Sequence, residues 1–201
     1  DEQAEYQKWQ AKTAGRRIGR ATATSTTVTT AAPTTTSTTT APTTTTTAPS
    51  SPALGSSSFS QAVSWMAPTS AENGLGPYER NMSNGDDGAG DGQPLTLDQR
   101  RYGLGLGVHA GSVLTYALDQ RYTRFTSVIG VDAESFAGSV VFEVWVDGRQ
   151  AYVSPTMGPT TPAESVSVDV TGATELELVV TDAGDGTRGD AADWADARLH
   201  R

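Results

Sequence analysis

The stretch GSVVFEVWVDG, residues 138–148, decides the fold. Val140, Phe142, Val144 and Val146 fall on one side of an extended chain, and Val141, Glu143, Trp145 and Asp147 on the other. A two-residue period with a continuous apolar row is the mark of a strand with one face in a core. The pattern recurs on both sides of this stretch. In ESVSVDV the inward set is Val166, Val168 and Val170, and in ELELVVTD it is Leu176, Leu178 and Val180. SQAVSWM, PLTLD, LGLGVHA, VLTYALD, YTRFTSVIGVD and ADWADARLH add further short runs, divided by Gly, Pro, Asn and Asp. About nine short strands after Phe59, with no helical run among them, predict an all-β chain built as an antiparallel β-sandwich.

Upstream the composition changes. Between Ala21 and Ser58 almost every residue is Thr, Ala, Ser or Pro, with Val28 and Leu54 as the large apolar exceptions. Ordering such a segment costs roughly 1–2 kcal/mol per residue in backbone entropy with nothing buried to offset it. Residues 21–58 are expected to be a disordered, extended linker, either an O-glycosylated stalk or a bare spacer. Residues 1–20 suit a short helix but are too few for a core, and read as the remnant of an upstream region. The division expected is 1–20, 21–58 and a sandwich over 59–201.

Charge narrows the partners. Of the 201 residues, the first 20 carry five Lys or Arg against three acids, the linker carries none, and residues 59–201 hold nine Arg and twenty acids. A module at −11 repels a phosphate backbone, which argues against nucleic acid. No run of 18 apolar residues marks a membrane span, and no signal-peptide pattern is present. The chain begins at Asp1, as expected of a fragment or processed product. With no Cys, disulfides and thiolate chemistry are excluded.

The sequence is poor in catalytic groups. His200 is terminal, so a triad would have to use His109, and no G-x-S-x-G elbow accompanies it. GLGVHA at 105–110 satisfies G-x-G-x-x-A, but among strands rather than at a strand-to-helix turn, so it is not a dinucleotide loop. Two acidic, Gly-rich loops, 83–93 and 181–196, offer oxygens of the kind Ca²⁺ takes, and neither has EF-hand spacing. They read equally well as turns in which Asp bonds its own backbone. Sugar sites combine an aromatic face with groups that bond hydroxyls in pairs. Trp65, His109, Asp132, Glu134, Trp145, Asp190 and Trp194 are available for one, with Glu79 and Arg80 either joining them or forming a surface pair. Trp145 and Trp194 could equally be packing residues.

Taken in order, ENGLGPYERNMSNGDDGAGDG, LTLDQRRYGLGLGVHA, FTSVIGVDAE, GSVVFEVWVDG, VDVTGATELELVVTDAGDG and DAADWADARL resemble the NPCBM carbohydrate-binding modules, grouped with carbohydrate-binding module family fifty-one, from about Phe59 to Leu199. The resemblance implies a sandwich of jelly-roll type with a structural Ca²⁺. It also implies non-catalytic recognition of galactose-containing glycans by a module of a larger secreted or surface-attached bacterial protein. It places the family's His at His109, keeps Asp132 and Glu134 with Ala133 between them, and keeps Asp190, Asp193, Trp194 and Asp196 with Ala191 where a His is usual. Asp196 and Asp193 are the implied metal ligands. His109, Asp132, Glu134 and Asp190, with Trp65, Glu79 and Arg80, are the implied glycan contacts, expected on loops at one end of the sandwich. Two rival readings stay open at this point. One is a degenerate sandwich acting as a protein-interaction or stalk-cap domain. The other is a glycoside hydrolase using His109 with Asp132 or Glu134.

Overall fold

The computed structural model describes residues 59–86 and 88–201. The expectations for 1–20 and 21–58, and Asp87 of the first acidic loop, lie outside the described residues. Thirteen strands follow in order: β1 (Ser60–Ala62), β2 (Ser70–Glu72), β3 (Glu79–Arg80), β4 (Thr96–Leu97), β5 (Arg100–Arg101), β6 (Gly105–His109), β7 (Ser112–Ala117), β8 (Arg124–Val131), β9 (Val141–Val146), β10 (Arg149–Val153), β11 (Glu164–Asp169), β12 (Glu175–Thr181) and β13 (Ala191–His200). A single 3-10 turn, Val63–Trp65, follows β1, and no α-helix is present among the described residues. The strands missed in the sequence are β2, β3, β5 and β10: the first three are two or three residues long, too short to show a period, and RQAYV of β10 carries no apolar alternation.

Two antiparallel sheets face each other. The first runs β11-β8-β13-β6-β3 with β1 also on β13, and the second runs β10-β9-β12-β7-β2; β4 and β5 form a separate hairpin. From β6 to β9 the chain changes sheet at every connection, so the chain itself ties the two layers together. Register follows side-chain alternation: Leu176, Leu178 and Val180 pair with Val146, Val144 and Phe142, all on the inner face. Trp194, fully buried between Leu106 and Ile129 on its flanking strands, meets Phe142 edge-on at 5.0 Å and Phe125 at 6.2 Å across the core. Such T-shaped contacts suit the charge distribution of the rings, and they join the two sheets.

The outer face of the first sheet is not bare. Residue 107 has to be glycine, because a Cβ there would stand 2.4 Å from the Met82 carbonyl oxygen. The segment 82–84 therefore lies directly on β6, and Leu97 packs over Gly130 of β8 in the same way. This covering creates a polar layer between the sheet and the loop 81–95.

Candidate functional site

His109, Asp132, Glu134 and Asp190 all come to one end of the sandwich, as their positions at strand ends require. β6 ends at His109, β8 at Val131, and β13 begins at Ala191, which pairs with His109. Three of the four are buried: His109 is 5%, Asp132 1% and Asp190 0% exposed, whereas Glu134 faces solvent. These three acidic and imidazole groups build the end of the sandwich more than they line a cavity.

Each is held by backbone. The Nδ1 of His109 lies 2.9 Å from the Ala110 carbonyl oxygen, which can only accept, so Nδ1 carries the proton. Its amide donates to Asn73 Oδ1 at 2.8 Å, and Asn73 in turn donates to Asn84 Oδ1 at 2.7 Å. Asp190 Oδ1 accepts from the Ser139 amide at 3.0 Å, and its buried Oδ2 has no hydrogen-bond partner. Burial pushes the Asp190 carboxyl up to about 7, opposed by the Ser139 bond and helped by Asp185 and Asp182. Asp132 accepts the Thr96 amide on Oδ2 and the Glu134 amide on Oδ1, both at 2.9 Å, and so ties the β4–β5 hairpin to the loop after β8. Glu134 accepts from Ser83 Oγ at 2.9 Å, pinning that loop to the segment over β6.

The arrangement is unsuited to glycoside hydrolysis. A general acid must hold a proton at a position its substrate reaches. Asp132 is buried with both oxygens occupied by the amides of Thr96 and Glu134, and Asp190 can hold a proton but is sealed from solvent. No carboxylate orients His109 Nδ1, since a backbone carbonyl occupies it.

The other sequence-derived candidates scatter. Glu79 is buried and accepts the Gly90 amide at 2.6 Å, while its neighbour Arg80 turns outward onto the Tyr78 hydroxyl at 3.0 Å, so the two do not form a surface pair. Trp65 stands 66% exposed on the 3-10 turn. Trp145, half-buried on the outer face of the second sheet, donates its indole N–H to Glu143 at 2.7 Å. Trp194 resolves as core.

The two implied calcium ligands occupy different surroundings. Asp196 lies where the register between β13 and β8 shifts, with φ at +46°, and its exposed carboxylate is bound by Arg198 at 2.7 Å. That pairing does not fit a calcium ligand. Asp193 is fully buried on the outer face of β13, with its carboxyl close enough to that of Asp132 for the two to share a proton. Burial, and then the facing Asp132 carboxylate with Glu134 beyond it, push the Asp193 carboxyl well above the usual range. Two buried carboxyls in apposition need either a proton or a cation between them. Among the described residues no three His, Cys, Asp or Glu side chains are grouped to hold a metal ion.

Sequence reasoning missed the polar residues that tie the end together: Asn73, Ser83, Asn84 and Ser139. Their types are common in turns, and nothing in their spacing marks them. It also passed over Phe136, which is 96% exposed on the loop between β8 and β9. The signal there was a large aromatic inside SFAG, a run of small residues.

With this geometry in view, comparison with known proteins is informative. The NPCBM/NEW2 domain family matches residues 60–200. A curated protein described as an endo-α-N-acetylgalactosaminidase, from Renibacterium salmoninarum, is 35% identical over 142 residues, which is 70% of this chain and 9% of that protein. The chain thus spans about a tenth of that relative's length. Among solved structures, the CBM51 module of Clostridium perfringens GH95 in complex with methyl-galactose is 31% identical, with a TM-score of 0.64, covering 70% of this chain and 99% of that one. The CBM51-2 module of Clostridium perfringens ZmpB, in complex with GlcNAc, is 29% identical at the same TM-score, covering 71% and 32%. The match extends over the whole described sandwich. The chain belongs to the NPCBM/NEW2 domain family, and its sandwich is a non-catalytic carbohydrate-binding module.

Proposed function

We propose that the module binds a terminal galactose or N-acetylhexosamine of a glycan, and that it does so at the loop end where Glu134, Ser139 and the segment 82–84 meet. The supporting observation is the likeness to a whole module solved with methyl-galactose, combined with the rigid loop frame at that end. Buried His109, Asp132 and Asp190 would act by positioning. They fix the loops by backbone bonds, so that the exposed Glu134 carboxylate is presented to a sugar hydroxyl without an ordering cost on binding. Trp65, Glu79 and Arg80, offered by the sequence as glycan contacts, sit away from this frame or are committed to other bonds, and carry no part of the proposal.

Such a module raises the local concentration of whatever it is attached to at a glycan surface. We place it outside the cell or at its surface, as one monomeric module of a longer bacterial chain with the Thr/Pro segment as tether. No helix among the described residues is long and apolar enough to cross a membrane. Calcium belongs to the proposal only at Asp193, where a cation would offset the facing carboxylates; Asp196 is left out. Thermal melts in EDTA and in excess Ca²⁺ should then differ, and coincident midpoints would leave a proton in that role.

A glycan array probed with the labelled full chain tests the assignment. Signal on galactose- or N-acetylhexosamine-terminated glycans, and none on glucans, is expected. An array without any glycan signal would support the degenerate-sandwich reading instead.

A further inference from the structure

The outer face of the second sheet carries charge of one sign. Glu72 on β2, Glu143 on β9 and Glu175 and Glu177 on β12 share that face, by the alternation and register of their strands. No Lys or Arg stands at a register position of the face on any of its five strands. Glu175 and Glu177 lie about 7 Å apart along one strand, and Glu143 sits diagonally across from Glu177 at a similar distance. Carboxylates this close repel one another and are stabilised by a cation above them.

The middle of the same face is withdrawn from water. Val113, Val179 and Glu143 form one cross-strand row and are 4%, 5% and 6% exposed, with Thr115 beside them at 6%. On the first sheet comparable burial comes from the loop 81–95 and the β4–β5 hairpin lying over it. Among the described residues no strand or turn is hydrogen-bonded across the outer face of the second sheet. Glu143 accepts the Trp145 indole N–H on one oxygen, and a carboxylate so buried in the middle of a sheet face needs a cover that brings positive charge.

We propose that residues 1–20 of this chain dock on the outer face of the second sheet. Residues 8–20 carry Lys8, Lys12, Arg16, Arg17 and Arg20 and no acid, whereas residues 59–201 hold nine Arg against twenty acids. At helical spacing Lys8, Lys12 and Arg16 fall in one row, and Tyr6 and Trp9 supply apolar area to set against Val113 and Val179. Residues 21–58 have a coil reach of roughly 30–40 Å, enough to pass from Phe59 around a module of this size. Tethering also keeps the segment at a high effective concentration, so a weak, mainly electrostatic contact suffices. Because the core closes between Val63 and Leu199, such a contact adds little to the melting midpoint. Its consequence is for reach. Docked, residues 21–58 close a loop and the tether is short; released by salt or by a competing polycation, its full length is available.

The chain has no Cys, so a nitroxide attached through Thr13→Cys in the full chain is a unique label. In ¹⁵N spectra at low salt it should broaden the amides of Val113, Glu143 and Val179 several-fold more than those of Ser165 and Ser167 on the outer face of the first sheet. Raising the salt to about 0.5 M, where screening leaves charges a reach of only a few Å, should remove the difference. Arg16→Glu combined with Arg17→Glu should remove it too, and adding Glu175→Lys and Glu177→Lys should restore it; neither pair touches the core. Equal broadening of both sheets, none at low salt, or a pattern that the charge reversals leave unchanged overturns docking on this face. Broadening of the same strength when nitroxide-labelled protein is mixed with an unlabelled ¹⁵N chain gives the face to a second copy and overturns the intramolecular assignment.

Discussion

Asp190 shows what burial does to a single group here. Its carboxyl is raised to about 7 from a usual 3.8, chiefly because the folded chain removes water from it. The folded state therefore holds the proton more tightly than the unfolded one. The linked contribution to stability is fully present below about pH 4, declines as the pH rises, and is lost once the pH passes about 7. The midpoint of Asp190→Asn should accordingly lose part of the wild-type decline between pH 4 and 7, measured by thermal melts across that range; parallel curves would show that Asp190 is not the group responsible. Trp194 gives the complementary case. Its ring contacts aromatics from both sheets, so Trp194→Ala should cost about 3–5 kcal/mol in chemical denaturation. A loss under about 1 kcal/mol would show that the core closes around the gap. The sequence left Trp194 open between core and platform, because its small neighbours are compatible with both. Only its pairing opposite Leu106 and Ile129 decides it.

Among the elements, the long strands were legible, and the hairpins and the covering loop were not. Asp147, placed on a strand face by the alternation, turns the chain instead: Asp147-Gly148 between β9 and β10 is a tight turn, with φ of +46° and +74°. Asp147 also accepts the Thr174 hydroxyl and the amides of Thr174 and Glu175, which hold its carboxyl below the usual range. The alternation of β9, β11 and β12 gave the correct inner faces because Phe142, Val144, Val166, Val168, Leu176, Leu178 and Val180 all enter the core, although Glu143 and Val179 on the outer faces are covered as well. The loop 81–95 reads as an acidic turn region, and no local pattern reveals that it lies flat on β6. That placement depends on Gly107, whose missing side chain admits the Met82 carbonyl. Gly107→Ala should therefore lift the loop, detach Ser83 from Glu134, and lower both the melting midpoint and glycan affinity. Unchanged hydrogen exchange at the Ser83 and Glu134 amides in that variant would show that the loop stays put.

At the scale of the molecule, the candidate site was half legible. The sequence brought His109, Asp132, Glu134 and Asp190 to one end because all four stand where apolar runs stop, and that end is where they are found. It could not foresee that three would face inward, since burial of a polar side chain is set by what crosses over it: here the turn with Asn73, the hairpin β4–β5 and the loop with Ser139. The hydrophobic core runs from Val63 to Leu199. Residues 59–201 alone should for that reason melt as the full chain does, and a drop of many degrees on truncation would assign a packing role to the first 58 residues. The central claim, a sandwich that holds a sugar and leaves it unchanged, is tested most directly by titrating the full chain with methyl-galactoside and then incubating it with nitrophenyl galactoside. Saturable one-to-one heat with no nitrophenol release is the predicted result; release of nitrophenol, or no heat with any galactoside or N-acetylhexosaminide, would contradict it.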